Sequence, residues 1–174
     1  MSIQSKSLPD IRKVGKATSV NPVALFLSAK PSQRDYGVVW LAPAIDRIRA
    51  VEAGVPSEFL TALATEMDVP QNTLYGWVGI APVIVKRKLN SRKPLNLNDG
   101  ERALGIARLV GQVETLIRAS GDKNEFDAKR WIAQWLGQPN PALGGQPPGR
   151  YMNTAAGCSM VSDLISLAAG GGFA

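Results

Sequence analysis

The chain has 174 residues, 45% hydrophobic and 20% charged, so it is long enough to bury the core of one domain or of two small ones. It has no histidine and one cysteine, Cys158, which excludes His-dependent triads and dyads, His-containing zinc sites and intramolecular disulfides. Lysine and arginine number 20 against 14 acids, and the net charge of +6 favours an anionic partner, nucleic acid first. Because no early apolar run is long enough for a signal peptide or a membrane span, we expect a cytoplasmic protein.

The first 45 residues differ in character from the rest. They are rich in Ser, Lys, Pro and Asn and show little hydrophobic periodicity, so we predict that residues 1–45 form a basic, largely disordered arm. From Asp46 onward the apolar spacing becomes helical. A break at residues 54–57 divides this stretch into two helices, with Ser57 as the predicted N-cap of the second.

Two short helices are then predicted at residues 70–78 and 82–89, separated by Gly79, a residue suited to a tight inter-helix turn. This spacing is typical of a helix-turn-helix. Leu74, Ile80 and Val85 would lock the two helices together and leave the polar face of the second helix free to enter a major groove.

Five basic residues lie on and just after the second of these helices. We predict that they bind DNA through phosphates or base edges, and the alternative is an ordinary solvated basic helix end. The predicted DNA-binding residues are Lys86, Arg87, Lys88, Arg92 and Lys93.

A longer helix is predicted over residues 99–119, with Asn98 or Asp99 as its cap. It carries two apolar rows, one at positions 103, 106, 110, 113 and 117 and a second at 104, 109 and 116. Two apolar rows imply two buried faces: one could face its own domain and the other a second copy of the chain in a homodimer, or the helix could lie at the centre of its own core.

A polar break at residues 120–124 is the predicted start of a second helical unit, residues 121–174. It contains an aromatic helix with Trp131 and Trp135, an isolated turn capped by Asn140, and a final helix that starts near Thr154 and ends at Gly170. The final helix is expected to pack on the aromatic helix, and its packing residues would be Val161, Leu164, Ile165 and Ala168 against Trp131, Trp135 and Leu136. The whole chain is therefore predicted to be all-α.

Enzyme chemistry is poorly supported by the sequence. The acidic residues are scattered over helices without a convincing pair, and the glycine-rich pieces match no nucleotide-binding motif. Cys158 has no neighbouring base to lower its pKa. We predict no catalytic residues, no metal and no cofactor.

The two motifs together resemble a known family. The helix-turn-helix is followed by residues 139–145 with the sequence PNPALGG, then by Thr154, Gly157 and Val161, and the chain from about Asp46 onward resembles the Xre/MbcA/ParS antitoxins. The resemblance implies an Xre-like helix-turn-helix and dimerisation domain at residues 46–120 and a small helical toxin-binding domain at residues 121–174. Residues 1–45 lie outside it.

This family resemblance also implies a function. Such proteins are antitoxins of type II toxin–antitoxin systems, which bind operator DNA as homodimers, repress their own operon, and inhibit a RES-domain toxin that resembles ADP-ribosyltransferases and degrades NAD⁺. By the same resemblance, the C-terminal tail would enter the toxin's NAD⁺ cleft with Phe173 as its apolar anchor. The predicted toxin-binding residues are Gly170, Gly171, Gly172, Phe173 and Ala174.

The tail departs from the family pattern, because small residues at positions 168–172 precede Phe173 where a bulky or charged residue is usual. A frayed end without a role is the alternative for this segment. For the whole chain, the alternatives are a stand-alone helix-turn-helix transcriptional regulator with a ligand- or partner-binding C-terminal domain, and a hydrolase or transferase, which would need a paired acidic site.

Overall fold

The structure, a computed structural model, describes residues 20–121 and 126–169. Within these ranges the chain is helical and contains no β-strand, which confirms the all-α prediction. None of the described helices is both long enough and apolar enough to cross a membrane. In chain order the α-helices are α1 Pro22–Ser28, α2 Gly37–Leu41, α3 Ala44–Ala53, α4 Glu58–Glu66, α5 Gln71–Val78, α6 Pro82–Ser91, α7 Leu97–Ser120, α8 Ala128–Gly137 and α9 Ala155–Ala169, with 3₁₀ turns at Pro31–Gln33, Pro141–Leu143 and Pro148–Tyr151.

Helix α7 lies at the centre of the fold and packs against α2, α3, α8 and α9. The Asn96 side chain caps it by accepting a hydrogen bond from the Asp99 amide at 2.8 Å, so the cap is Asn96 rather than Asn98 or Asp99, and the helix begins at Leu97, two residues before the predicted start at residue 99. Both apolar rows lie largely inside the chain, since Ile106 and Val110 of the first row and Leu104 and Leu109 of the second are buried. The helix is therefore a central core helix, and these buried side chains are not available to a second copy.

The prediction of a disordered arm is wrong for residues 20–45. This segment forms α1 and α2, and its apolar side chains, among them Val23, Phe26 and Val39, are buried in the core. Asn21 starts α1 by accepting hydrogen bonds from the amides of Val23 and Ala24. Both helices are too short, at seven and five residues, to show the periodicity on which sequence analysis depends. Residues 1–19 lie outside the described residues.

A nearly buried polar cluster joins this N-terminal segment to α4. The Arg34 guanidinium lies 2.6 Å from Glu66 Oε1, and the Tyr36 hydroxyl donates to Glu66 Oε2 at 2.8 Å. The Arg34 side chain is 6% exposed and also lies over the Phe59 ring at 5.0 Å from its centroid. Burial, with Glu66 beside it, raises the pKa of Tyr36 far above its usual range, so the hydroxyl stays protonated and donates.

Helix α2 approaches α7 closely because α7 has a glycine at the crossing. A Cβ at Gly111 would collide with the Tyr36 carbonyl, so only glycine lets the two backbones meet. The Gly37 amide donates to Glu114 Oε2 at 3.1 Å, and Arg118 pairs with Asp35 at 2.9 Å. These polar contacts set the register of α2 along α7.

Helix α9 packs mainly on α7, which corrects the expectation that it packs on the aromatic helix α8. The buried side-chain amide of Gln112 explains why α9 packs on α7. Gln112 donates to the Ser162 carbonyl at 2.9 Å and accepts from the Ser162 hydroxyl at 2.8 Å. Val161 and Ile165 are buried as predicted, but Ala168 is exposed.

The predicted break before α4 and the predicted turn after α8 are present, but the predicted N-cap at Ser57 is not. The break at residues 54–57 is present, and Gly54 has a φ of 104°. Ser57 precedes α4 but is buried and makes no capping hydrogen bond. The isolated turn after α8 is confirmed, since Asn140 Oδ1 accepts from the Ala142 amide at 2.9 Å.

Replacing Glu66 tests how the N-terminal segment is held. The Glu66→Gln substitution leaves the Arg34 guanidinium without its counter-ion in a nearly dry site, and we expect the free energy of unfolding to fall by about 3–5 kcal/mol. Urea denaturation measures this. The control, Asp163→Asn on the exposed side of α9, should change stability by less than about 0.5 kcal/mol. Equal stability of the two variants would show that the buried pair does not hold the segment.

Candidate nucleic-acid interface

Helices α5 and α6 form the predicted helix-turn-helix. Gly79 ends α5 in the left-handed conformation, with φ 72° and ψ 35°, and the Ile80 amide bonds back to the Tyr75 carbonyl at 2.9 Å. Leu74 and Val85 are fully buried and Ile80 is 6% exposed, so the three side chains predicted to lock the helices do lie in the core. Tyr75 is also buried, and its hydroxyl donates to Gln71.

The outer face of α6 is exposed. Pro82 occupies the first turn, where a missing amide hydrogen costs little. Val85 faces the core, whereas Val83, Lys86 and Arg87 are exposed, followed one turn later by Asn90. At about 100° per residue these four positions fall within about 100° of arc, so α6 presents one continuous outer surface.

Four of the five predicted DNA-binding residues are exposed. Lys86 and Arg87 project from the outer face of α6, and Arg92 and Lys93 follow its end. Lys88 differs from this expectation, because it lies about 200° around the helix from Lys86 and its Nζ donates to the Pro94 carbonyl at 2.8 Å. Among the described residues, none of the five forms an ion pair, so their charges are not neutralised by a neighbouring acid.

The end of α6 depends on a non-glycine residue in a left-handed conformation. Arg92 has a φ of 50°, its amide bonds to the Leu89 carbonyl at 3.1 Å, and the Lys93 amide bonds to the Lys88 carbonyl at 3.0 Å. The chain then turns back, and Leu95 is buried with its amide on the Val55 carbonyl. This turn holds Arg92 and Lys93 beside the end of α6. No pattern in the sequence predicted the turn.

The helix-turn-helix packs directly on the C-terminal part of the chain. The Trp77 indole of α5 lies against Gly149 in the 3₁₀ turn Pro148–Tyr151. Asn153 lies beside Gly79, close enough that a Cβ on Gly79 would come within 2.9 Å of the Asn153 Cβ. Arg102 of α7 reaches the same place and donates to the Asn153 carbonyl at 3.3 Å. No local sequence pattern marks this junction, because the residues that meet there are about 50–75 positions apart along the chain.

Arg102 is itself held by an ion pair with Asp99 at 2.5 Å, one turn earlier on α7. The Asp99 side chain is only 9% exposed. The junction is thus fixed both by apolar contact and by a hydrogen-bonded arginine.

The surface of the C-terminal part carries half-buried aromatic rings. Trp131 and Trp135 of α8 stack with their centroids 5.9 Å apart and their planes 10° apart, and Phe126 lies 6.2 Å from Trp131. The loop that follows α8 exposes Ala142 and two left-handed glycines, Gly144 and Gly145. The predicted toxin-binding residues Gly170, Gly171, Gly172, Phe173 and Ala174 lie outside the described residues.

A groove of about 580 Å³ runs between α3, α7 and the start of α9. Cys158 borders it, and burial raises the pKa of the thiol, which disfavours the reactive thiolate. No group of three potential metal ligands occurs in the described part of the chain. This groove therefore offers no evident nucleophile or metal centre.

Comparison with known proteins identifies both halves of the chain. The family model of the antitoxin Xre-like helix-turn-helix domain matches residues 46–108, and that of the antitoxin Xre/MbcA/ParS C-terminal toxin-binding domain matches residues 125–171. A protein of Sphingobium sp. (strain YBL2) named "Prs ADP-ribosylating antitoxin" is 34% identical over 139 residues, which cover 80% of this chain and 87% of that protein. These findings confirm the predicted resemblance. The chain therefore belongs to the Xre/MbcA/ParS antitoxin family and carries a helix-turn-helix domain followed by a toxin-binding domain.

Proposed function

We propose that this antitoxin binds operator DNA through α6, represses its own operon, and inhibits a RES-domain toxin that consumes NAD⁺. It acts in the cytoplasm, by binding and without catalysis of its own. The observation that carries the proposal is the unneutralised basic outer face of α6 in a helix-turn-helix that is joined to a toxin-binding domain.

The charge distribution supports the DNA-binding half of the proposal. In a helix-turn-helix the second helix enters the major groove, and α6 is that helix. Lys86 and Arg87 lie on its outer face, while Arg92 and Lys93 lie at its end, where backbone phosphates would pass. Lys88 is already bonded to the Pro94 carbonyl, so we assign it a minor part.

The toxin-binding half rests on the C-terminal domain and on the similar Sphingobium protein, whose name contains the term ADP-ribosylating. NAD⁺ is the usual donor in ADP-ribosyl transfer, so a toxin that transfers ADP-ribose would consume it. We propose that the toxin partner of this chain is such an enzyme with a RES domain. The C-terminal residues from Gly170 to Ala174, with Phe173 as anchor, would block its NAD⁺ cleft.

We further propose that the antitoxin is a homodimer, although not through the apolar rows of α7, which are largely buried. We place the dimer contact instead on the apolar rim of the groove between α3, α7 and the start of α9. Ile45, Ile48 and Leu97 are each about half exposed, and Ile48 and Leu97 line the groove. Glu52 and Arg47 border the same groove, so it carries both signs of charge and could pair with a second copy of itself.

Removing the outer charges of α6 tests DNA binding. We expect Lys86→Ala combined with Arg87→Ala to abolish operator binding at moderate salt, and to flatten the dependence of log K on log salt by about 0.9 for each lost phosphate contact. Fluorescence anisotropy of a labelled promoter duplex, titrated at several salt concentrations, measures both quantities. Inhibition of the toxin should be unchanged.

The control for this experiment removes the same charges elsewhere. Lys30→Ala combined with Arg49→Ala deletes one exposed lysine and one exposed arginine that lie outside α5 and α6. This double variant should bind the duplex nearly as well as the unmodified chain. If both double variants lose affinity equally, the binding depends on net charge alone and α6 is not the reading helix.

Deleting residues 171–174 tests the proposed role of the tail. Because Phe173 would fill an apolar pocket, the antitoxin should lose about tenfold or more in inhibition, and NAD⁺ consumption by the co-purified toxin should rise. The fold and operator binding should not change. A Phe173→Ala variant should reproduce most of the effect if the ring is the anchor. Full inhibition by the truncated chain would mean that the body of the C-terminal domain blocks the toxin instead.

The dimer surface is tested by Ile48→Ser. This substitution places a hydroxyl in the proposed apolar contact, so light scattering at micromolar concentration should change from twice the chain mass to the chain mass. The control is Leu25→Ser, which alters an equally exposed apolar residue on α1. A monomeric unmodified chain, or a dimer that survives Ile48→Ser, would contradict this assignment.

A further inference from the structure

The outer face of α6 has an apolar residue among its charges. Val83 is 70% exposed, and no other large hydrophobic side chain in the described part of the chain is more exposed. Its neighbours on this face are Lys86, Arg87, Asn90 and Ser91, which line the same shallow depression. Every side chain of this group other than Val83 is polar, and Val83, at 70% exposed, buries little apolar surface within the chain.

The position of Val83 is that of a base-contacting residue. It is the second residue of α6, and the N-terminal part of a recognition helix is the part that contacts base edges. Arg87 and Asn90 follow on the same face at intervals of four and three residues. At about 1.5 Å per residue, the row from Val83 to Asn90 is about 10 Å long, which is about the length of three stacked base pairs.

The chemistry of the three side chains matches what the major groove offers. The C5-methyl group of thymine is a distinctive apolar feature of that groove, and an aliphatic side chain is a natural partner for it. Arginine pairs with the O6 and N7 atoms of guanine, and asparagine pairs with the N6 and N7 atoms of adenine. One methyl contact, one guanine contact and one adenine contact would together read a short half-site.

A protein partner fits this face less well than DNA. Lysine is depleted at protein interfaces, whereas Val83 has the exposed Lys86 less than one helical turn away. The more extended apolar surface of the molecule is elsewhere, at Ile45, Ile48 and Leu97. The isolated valine is therefore better explained by a small apolar target inside an anionic ligand.

We propose that Val83 reads a thymine methyl group in the operator and that Val83, Arg87 and Asn90 form the base-reading row of α6. Lys86, Arg92 and Lys93 then contact phosphates, which fix the orientation of the helix without reading sequence. This inference rests on the proposed DNA binding and adds the residues that select the sequence.

The test compares thymine with uracil, which differ only by this methyl group. Full-length antitoxin is first used to enrich binding duplexes from a random-sequence DNA library. Each thymine of the enriched half-site is then replaced by deoxyuridine, one at a time, and the affinity of the unmodified chain and of Val83→Ala is measured by anisotropy. The matched control is Val20→Ala, since Val20 is 68% exposed and lies outside the helix-turn-helix.

We expect one thymine at which deoxyuridine weakens binding by the unmodified chain and by Val20→Ala about fourfold, the equivalent of about 0.8 kcal/mol for one buried methyl group. At the same position Val83→Ala should bind thymine and uracil equally. Thermal unfolding of Val83→Ala should match that of the unmodified chain, because the side chain is exposed.

Other outcomes overturn the inference, and they distinguish a failure of the proposed DNA binding from a failure of the role assigned to Val83. If the library yields no enriched sequence, the proposed DNA binding fails and the reading row fails with it. If a sequence is enriched but lacks thymine, or if Val83→Ala keeps the same discrimination against uracil, DNA binding stands and Val83 is not its reader. If Val83→Ala instead weakens only the complex with the toxin, this face belongs to a protein interface.

Discussion

The fold depends on the burial of α7 on more than one side. This helix, Leu97–Ser120, receives α2 from the N-terminal segment on one side and α9 from the C-terminal domain on another. Two local features permit the arrangement. Gly111 lets the α2 backbone come into contact with α7, and Gln112 satisfies its amide on α9 instead of exposing it to water. Because both partners dock on neighbouring positions of one helix, the two ends of the described chain share a single core.

The same helix joins the helix-turn-helix to the toxin-binding domain. Arg102 of α7 bonds to Asn153 beside the turn of the helix-turn-helix, and Trp77 packs on Gly149. The two domains therefore meet through direct contact as well as through the chain that connects them. The charged outer face of α6 lies opposite Val85, the residue of this helix that faces the core, and stays exposed in the assembled fold.

Sequence patterns predicted the parts that obey a helical period and missed those that depend on distant contacts. The helix-turn-helix was found because Leu74, Ile80 and Val85 keep their spacing around Gly79. Helices α1 and α2 were missed because each is short and is stabilised by remote groups, such as Glu66 for Arg34 and Tyr36. Lys88 was assigned to the DNA face because a run of bases does not reveal which of them finds a backbone carbonyl. The Trp77–Gly149 contact, like the packing of α9 on α7, joins positions that no local pattern connects.

The proposed function requires that DNA and toxin bind separate surfaces of one chain. Its most direct test is the mass of the complex formed when purified antitoxin, the toxin encoded beside it and the enriched operator duplex are mixed and separated by size with light scattering. We expect a ternary species that contains all three, with NAD⁺ consumption still suppressed in that fraction. Displacement of the DNA by the toxin, or of the toxin by DNA, would contradict the claim, because it would mean that the two partners compete for one surface.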